Sequence, residues 1–149
     1  MIDRRKFIKS LSSLGISFPF LSAKSFTNTA QNKKMNNPII LCSRGKDWAE
    51  DVLKPGWDIL RKNGSLLDAI EKSANVTELD PRDTSVGYGG LPNEDGVVQL
   101  DASIMYGPNH NCGSVAALEG IKTPSSVARL VMERTDHIHL VAEGAQNFA

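Results

Sequence analysis

The sequence has little cysteine, few aromatic residues and no net charge. Its 149 residues contain two cysteines and 6% aromatic residues, and 17 acidic side chains balance 17 basic ones. Once the basic N-terminus is set aside, no stripe of positive charge remains, which argues against a nucleic-acid partner. A run of about 20 apolar residues, the length that crosses a bilayer, is also missing. The length and a hydrophobic content of 40% are typical of one globular domain with its own core.

The zero net charge conceals an asymmetry between the N-terminus and the rest. Residues 1–37 carry seven Lys and Arg side chains against one Asp, a sum of +6, so the remaining residues sum to −6. The paired Arg4 and Arg5 stand ahead of a short apolar stretch over 11–21 that is followed by small residues. This pattern predicts a twin-arginine export signal over residues 1–23, and hence a periplasmic or secreted protein. A basic amphipathic helix is the alternative.

A polar stretch without periodicity over residues 24–37 predicts a spacer, so the domain itself is expected over residues 38–149. Within it, Cys42 and Cys112 each sit in an apolar stretch. In an oxidising compartment the two can form a disulfide, whereas free cysteines behave as small hydrophobic residues. The sequence leaves both possibilities open.

The first half of the domain predicts a strand followed by helices. A buried strand is expected over 38–43, because the stretch is apolar and contains β-branched residues. Helical spacing over 48–64 predicts a helix that the Pro55-Gly56 dipeptide breaks or kinks. A second helix starts after Ser65, which forms a capping-box pattern with Asp68 three residues later.

The second half predicts a β-hairpin, a helix and a strand. The hairpin pairs 97–105 with 112–118, and it directs Leu100, Ala102 and Ile104 into the core and Asp101 to the opposite face. Thr123 and Pro124 open the clearest helix, and residues 137–141 form a strand. The fold class predicted by this order is α/β, with helices packed on a partly antiparallel sheet.

Four glycines cluster over residues 87–96, just before the hairpin. The cluster matches neither the phosphate loop that ends in Gly-Lys-Ser/Thr nor the Gly-x-Gly-x-x-Gly fingerprint, and no helix follows it. It serves either a close backbone approach at a pocket wall or the hairpin alone. The sequence has no Gly-x-Ser-x-Gly elbow and no other pattern of an activated nucleophile, so the residues by themselves identify no catalytic group.

Histidines offer one further possibility. On the predicted strand His137 and His139 share a face, as two metal ligands require, and His110 or Cys112 can add a third ligand. Spacings such as Cys-x-x-Cys or His-Glu-x-x-His are absent. The pattern is more typical of polar residues at an exposed strand edge, and no metal or other cofactor is expected.

Several stretches taken together resemble one enzyme family. SVGYGGLPNEDGVVQLDASIM (85–105) and CGSVAALEGIKTPSSVARLVMERTDHIHLVAEGAQNFA (112–149) are similar to the N-terminal part of the glycosylasparaginases, N4-(β-N-acetylglucosaminyl)-L-asparaginases within the type-2 asparaginases. ILRKNGSLLDAIEKSA (59–74) extends the resemblance upstream. The resemblance implies an N-terminal-nucleophile hydrolase with a four-layer αββα sandwich, incomplete in this chain.

The resemblance also implies where the reaction takes place. Members of this family cleave themselves, and the threonine freed at the start of the second chain attacks the side-chain amide of an asparagine-type substrate, with its own α-amino group as general base. The family's His-Asp-Thr cleavage site does not occur here, and Thr135-Asp136-His137 holds the same residues in reverse. The nucleophile is therefore expected beyond Ala149, in a C-terminal chain that acts as partner, and no catalytic residue is assigned within the 149 residues. The complete enzyme is expected to be a homo-oligomer.

Two substrate-binding residues follow from the same resemblance. Ser85 matches a serine beside the active centre, and Arg44 stands where the family commonly has tryptophan. Gly87, Gly89 and Gly90 are expected to let the loop pass close to that centre.

The expected function is that of the N-terminal fragment of an exported amidohydrolase, which releases aspartate and an amine from glycosylasparagine. L-Asparaginase or isoaspartyl peptidase activity is the near alternative. A non-catalytic periplasmic binding or remnant protein is the alternative from a different class.

Overall fold

The computed structural model describes residues 37–149. The predicted export signal, and all of the predicted spacer except Asn37, lie outside the described residues. The elements in chain order are α1 (Lys46–Arg61), α2 (Leu66–Glu78), a 3₁₀ turn (Gly87–Gly89), β1 (Leu100–Tyr106), β2 (Asn111–Leu118), α3 (Pro124–Arg134), β3 (His139–Val141) and α4 (Ala142–Phe148). Among these residues, none of the helices combines the length and the apolar character that a bilayer crossing requires.

Helix α1 continues through Pro55 and Gly56 without interruption. The sequence predicts either a break or a kink at this dipeptide, and the prediction of a break is wrong. Gly56 is buried against α2, where an added Cβ would collide with the Ser73 hydroxyl and the Ala69 carbonyl. Because glycine lets the two helices approach closely, packing holds the helix together where proline removes a backbone hydrogen bond.

Helix α2 begins as predicted. Ser65 is its N-cap, and the Ser65 hydroxyl accepts a hydrogen bond from the Asp68 amide at 3.4 Å. A capping box also predicts that the Asp68 carboxylate accepts from the Ser65 amide. That prediction is wrong, because the carboxylate accepts a hydrogen bond from Arg129 on α3 at 2.6 Å. The cap thus relies on the serine alone.

The three strands form one sheet in the order β1-β2-β3. Strands β1 and β2 are the predicted antiparallel hairpin, and β3 pairs with β2 in parallel. The first strand starts later than expected, at Leu100, and β3 is shorter, so that His137 lies before it. The His137 amide instead donates to the Thr135 hydroxyl at 3.0 Å, in the turn that follows α3. The prediction that His137 and His139 share one face of a strand is therefore wrong.

A β-bulge interrupts the hairpin between Leu100 and Ala102. At this point Ala117 on β2 has a φ of 48°, and its amide donates to the Asp101 carboxylate at 2.8 Å. The predicted side-chain alternation is confirmed, since Leu100 and Ile104 are buried and Asp101 is exposed. Asp101 thereby satisfies a backbone group that the irregular pairing leaves free.

The core lies between one face of the sheet and the helices α3 and α4. Its most buried large side chains are Leu118, Val115 and Val131. Leu67 of α2 and Ala145 of α4 belong to the same cluster. The result is a mixed α/β arrangement with helices on a partly antiparallel sheet, as the sequence predicts at that level.

Residues 38–43 form no strand, because no strand within 37–149 pairs with them. Burial nevertheless alternates along this segment. Ile39 and Leu41 are 80% and 85% exposed, whereas Ile40 and Cys42 are half-buried beside α1 and α2. The prediction of a buried strand is wrong for the described residues, although the period-two burial of a strand is present.

Candidate functional site

The structure brings Arg44 and Ser85 together around Asp83. Arg44 is the last residue of the segment 38–44, which we call the extended segment. Its Nη1 lies 2.8 Å from Asp83 Oδ2. Its Nη2 donates to Ser85 Oγ at 2.8 Å. The Ser85 hydroxyl and the Ser85 amide both donate to Asp83 Oδ1, at 2.6 and 2.8 Å. We call these three residues the Arg44 cluster; sequence reasoning did not single out Asp83, its central residue.

The Asp83 carboxylate is the most enclosed group of the Arg44 cluster, with 4% of its side chain exposed against 32% for Arg44. Burial alone would raise the pKa of Asp83, but the hydrogen bonds from Ser85 and the nearby Arg44 cation outweigh it and hold that pKa below its ordinary value. At neutral pH the cluster therefore contains one ionised carboxylate paired with one guanidinium.

The loop over residues 85–90, which we call the glycine loop, packs on the C-terminal end of α2. Gly87 has a φ of 59°, and an added Cβ there would collide with the Glu78 backbone. A Cβ on Gly89 would collide with the Asp83 carbonyl, and one on Gly90 would lie 3.1 Å from the Gly87 carbonyl. The glycines therefore serve close backbone approach, in a loop that begins two residues after the buried Asp83.

A cavity of about 400 Å³ adjoins the Arg44 cluster between the extended segment and the first two helices. Arg44, Ser73, Thr77 and Val86 line it together with aliphatic side chains. Ser73 is 7% exposed, and its hydroxyl has no hydrogen-bond partner among the described residues. A concave apolar space with a few polar groups is the usual form of a small-molecule site.

A second polar group that the sequence did not reveal adjoins this cavity through Glu78, which is one of the residues that line it. Polar side chains of α2 hydrogen-bond directly to α3 and form what we call the polar seam: Asp68, Glu71, Asn75 and Glu78 of α2, with Ser125, Ser126 and Arg129 of α3. Glu78 accepts from the Ser125 amide at 3.0 Å and from the Ser125 hydroxyl at 2.8 Å. The buried carboxylate thus caps α3, whereas Thr123 stands at the N-cap position without a side-chain bond.

Cys42 adjoins the Arg44 cluster, with its Sγ 4.0 Å from the Arg44 carbonyl oxygen in the wall of the same cavity, whereas the histidines and Cys112 lie on the hairpin and around β3. His139 Nδ1 is 2.7 Å from Ser114 Oγ, whose hydroxyl also donates to the Ile138 carbonyl at 3.0 Å. Which atom donates in the contact between Ser114 and His139 depends on the tautomer of the imidazole, so the contact by itself does not establish a nucleophile and its base. Cys42 and Cys112 are free thiols. Over residues 37–149, no group of three or more His, Cys, Asp or Glu side chains is placed to hold a metal ion.

Comparison with known sequences places this arrangement in context. Residues 26–149 match the family described as Asparaginase (Asparaginase_2). The chain is 46% identical over 149 residues to an N(4)-(Beta-N-acetylglucosaminyl)-L-asparaginase of Elizabethkingia miricola, a match that covers 99% of this chain and 43% of the relative.

Two further relatives match a shorter part. A plant-type L-asparaginase of Pyrococcus horikoshii is 50% identical over 94 residues, which cover 63% of this chain and 30% of the relative. An isoaspartyl peptidase/L-asparaginase of Rattus norvegicus is 44% identical over 94 residues, which cover 63% of this chain and 28% of the relative. The chain thus spans less than half the length of each of these relatives.

Proposed function

Because the chain belongs to the asparaginase family, we propose that it is the N-terminal part of an amidohydrolase acting on the side-chain amide of asparagine-type substrates. The observation that carries this proposal is the family match over residues 26–149. The relatives named above are glycosylasparaginases, asparaginases and isoaspartyl peptidases. A small molecule with an asparagine-like head is the proposed substrate, and no cofactor is part of the proposal.

The proposed fold of the complete protein is the αββα sandwich of N-terminal-nucleophile hydrolases. Two features support an incomplete sheet in the described part: the extended segment with exposed Ile39 and Leu41, and a sheet of only three strands. Unpaired extended backbone is a template for strand addition. A C-terminal chain that follows Ala149 is the proposed partner, and the complete enzyme is proposed to be a homo-oligomer.

In the proposed reaction, a threonine at the start of that C-terminal chain is the nucleophile. Its hydroxyl forms a bond to the amide carbon while its own α-amino group takes the proton and passes it to the leaving nitrogen. The C–N bond breaks, and water then hydrolyses the ester. Ser85 and Arg44 are proposed to lie beside this centre, where the cavity gives a substrate room.

Among the family activities, glycosylasparagine hydrolysis is favoured by the extent of the match. The glycosylasparaginase relative aligns with 99% of the chain, whereas the asparaginase and isoaspartyl peptidase relatives align with 63%. Removal of ammonia from asparagine remains the second candidate, supported by 50% identity to the plant-type enzyme over its shorter range.

Export is proposed from the sequence alone. The twin arginines Arg4 and Arg5 and the apolar stretch that follows them support a periplasmic or secreted enzyme. A fusion of residues 1–37 to a reporter that folds before transport tests this, since replacing both arginines with lysine should retain the reporter inside the cell.

The main experiment reads the coding sequence beyond the codon of Ala149 and assays its full product. We expect an in-frame His-Asp-Thr motif, cleavage of the product before this threonine, and release of aspartate from glycosylasparagine or asparagine. Substitution of that threonine by alanine should abolish both. An immediate stop codon, together with a monodisperse product that hydrolyses neither amide, would support the non-catalytic binding protein instead.

A further inference from the structure

We infer that Arg44 is a positioning residue that orients Ser85, and that it does not bind a negatively charged part of the substrate. The inference rests on the proposed function, because only that function puts Ser85 beside the substrate. Its basis is the geometry of the Arg44 cluster, in which each terminal nitrogen of the guanidinium has one partner within the cluster.

The hydrogen bonds of Ser85 leave it a single role toward a ligand. A serine hydroxyl has one proton to donate and two lone pairs that accept. The proton goes to Asp83 Oδ1 at 2.6 Å, since an ionised carboxylate can only accept. One lone pair accepts from Arg44 Nη2 at 2.8 Å. The remaining lone pair can accept a hydrogen bond, so Ser85 suits an N–H or O–H donor and repels a carboxylate.

The charge of Arg44 is matched within the Arg44 cluster. Nη1 lies 2.8 Å from Asp83 Oδ2, and the side chain of Asp83 is 4% exposed. The lowered pKa of Asp83 keeps this carboxylate ionised at neutral pH. A guanidinium and a carboxylate at this distance present little net charge to a third group, so an anionic substrate gains little from Arg44.

Arg44 also joins two parts of the chain that are distant in sequence. It is the last residue of the extended segment, whereas Asp83 and Ser85 lie just before and at the start of the glycine loop. Arg44 and Ser85 are 41 residues apart in the sequence. The planar fork of arginine can reach Asp83 and Ser85 at once, which the single ammonium of lysine does less well. The Ser85 and Val86 amides both donate to the Asp83 carboxylate, so loss of the fork should release the Ser85 side chain and these two amides.

The test uses the full product of the gene with Arg44→Gln and Arg44→Lys. Arg61→Gln is the matched control, because Arg61 forms an exposed ion pair with Asp58 at 2.9 Å that is outside the Arg44 cluster. Two substrates are compared, a neutral asparagine-type amide and an analogue with one added carboxylate. Hydrogen exchange of the Ser85 and Val86 amides is followed in parallel by NMR or mass spectrometry.

We expect both Arg44 variants to lower kcat for both substrates by about tenfold, the size expected from the loss of one charge-assisted hydrogen bond. In Arg44→Lys, which keeps a cation beside Asp83, the ratio of kcat/KM for the two substrates should change by less than about twofold; Arg44→Gln is not used for this comparison, because it leaves the Asp83 carboxylate without its cation. Exchange at Ser85 and Val86 should accelerate by about tenfold in the same variants. Arg61→Gln should alter none of these quantities.

The inference is overturned if Arg44→Lys raises KM only for the analogue with the added carboxylate, if Arg44→Lys retains the wild-type values, or if loop exchange is unchanged in both Arg44 variants. Should Arg44→Gln not fold, Arg44→Lys alone decides, since it keeps the charge and most of the volume. If the wild-type product hydrolyses neither substrate, the proposed function fails. The exchange measurement then decides the positioning role by itself: acceleration supports it, and unchanged exchange rejects it.

Discussion

At the scale of single residues, Gly87 is the most tightly constrained of the glycines before the hairpin. It combines a φ of 59° with a Cβ position that is occupied by the Glu78 backbone. Gly96 also has a positive φ, of 78°, but an added Cβ would meet nothing within 4 Å. A comparison of substitutions at the two glycines therefore separates the cost of backbone strain from the cost of a steric clash.

We predict that Gly87→Ala lowers the free energy of unfolding by about 3 kcal/mol and Gly96→Ala by about 1 kcal/mol. Both variants force alanine into the left-handed region, but only Gly87→Ala also displaces the end of α2. Urea denaturation of the two proteins provides the measurement. Equal losses would mean that the loop does not depend on its contact with Glu78.

The Arg44 cluster shows what single residues can and cannot reveal. Ser85 and Arg44 were predicted to lie at one site by resemblance to a family, and the structure brings them within hydrogen-bond distance. Asp83 was missed, because one aspartate in a stretch of loop residues carries no sign of its burial. That burial results from contacts with Arg44, far away in the sequence.

At the scale of elements, the polar seam is the least expected contact. Its members on α2 recur at intervals of three, four and three residues, a spacing equally typical of a solvent-exposed helix face. Arg129 is the cation of the seam, and its ion pairs with Asp68 and Glu71 lie at 2.6 and 2.7 Å. Burial would raise the pKa of Glu71, yet hydrogen bonds from Ser126 and Arg129 lower it below the ordinary value. The sequence identifies the apolar face of α2, but it does not distinguish a polar face that packs against another helix from one that is exposed to solvent.

We predict that Glu78→Ala lowers the free energy of unfolding by about 3 kcal/mol, because it removes the acceptor of the buried Ser125 amide and of the Ser125 hydroxyl. Glu78→Gln should cost about half as much, since its amide oxygen still accepts from the Ser125 amide. Glu94, which is exposed, provides the control: Glu94→Ala should change stability by less than about 0.5 kcal/mol. Thermal unfolding is the measurement, and losses of similar size at both glutamates would contradict the capping role.

Local signals predicted the elements better than their boundaries or their partners. Ser65 as a cap and the hairpin around Gly107 depend on nearby residues, and both are present. Continuity of α1 at Pro55 and the bulge at Asp101 depend on contacts with other elements. The local pattern therefore allowed a break at Pro55 that is absent, and it gave no sign of the bulge. The segment 38–43 shows the limit clearly, because its strand-like pattern needs a partner that residues 37–149 do not supply.

At the scale of the whole molecule, the described part exposes apolar side chains in a group. Ile39 and Leu41 of the extended segment are mostly exposed, and Trp57 of α1 is 38% exposed beside a cavity of about 580 Å³ that Ile39 also lines. Exposed apolar patches of this kind mark interaction surfaces or promote aggregation. The fold class was readable from the sequence at this scale, whereas the extent of the sheet was not.

We predict that the 149-residue chain expressed alone self-associates through this segment. The double substitution Ile39→Ser with Leu41→Ser should weaken the association by about tenfold or more, because apolar area is lost from the contact. Leu91→Ser is the control, since Leu91 is 71% exposed at a different position. Sedimentation velocity measures the outcome, and an equal effect of the control would show that association does not depend on the extended segment.

The polar seam has a mechanical consequence for the molecule. Apolar contacts have no preferred direction, whereas a hydrogen bond requires its donor to point at its acceptor. The donors and acceptors of Asn75, Glu78 and Ser125 therefore fix the register between α2 and α3. A displacement of the glycine loop that moves the end of α2 must therefore carry α3 along as a rigid unit, and with it the hairpin on which α3 rests.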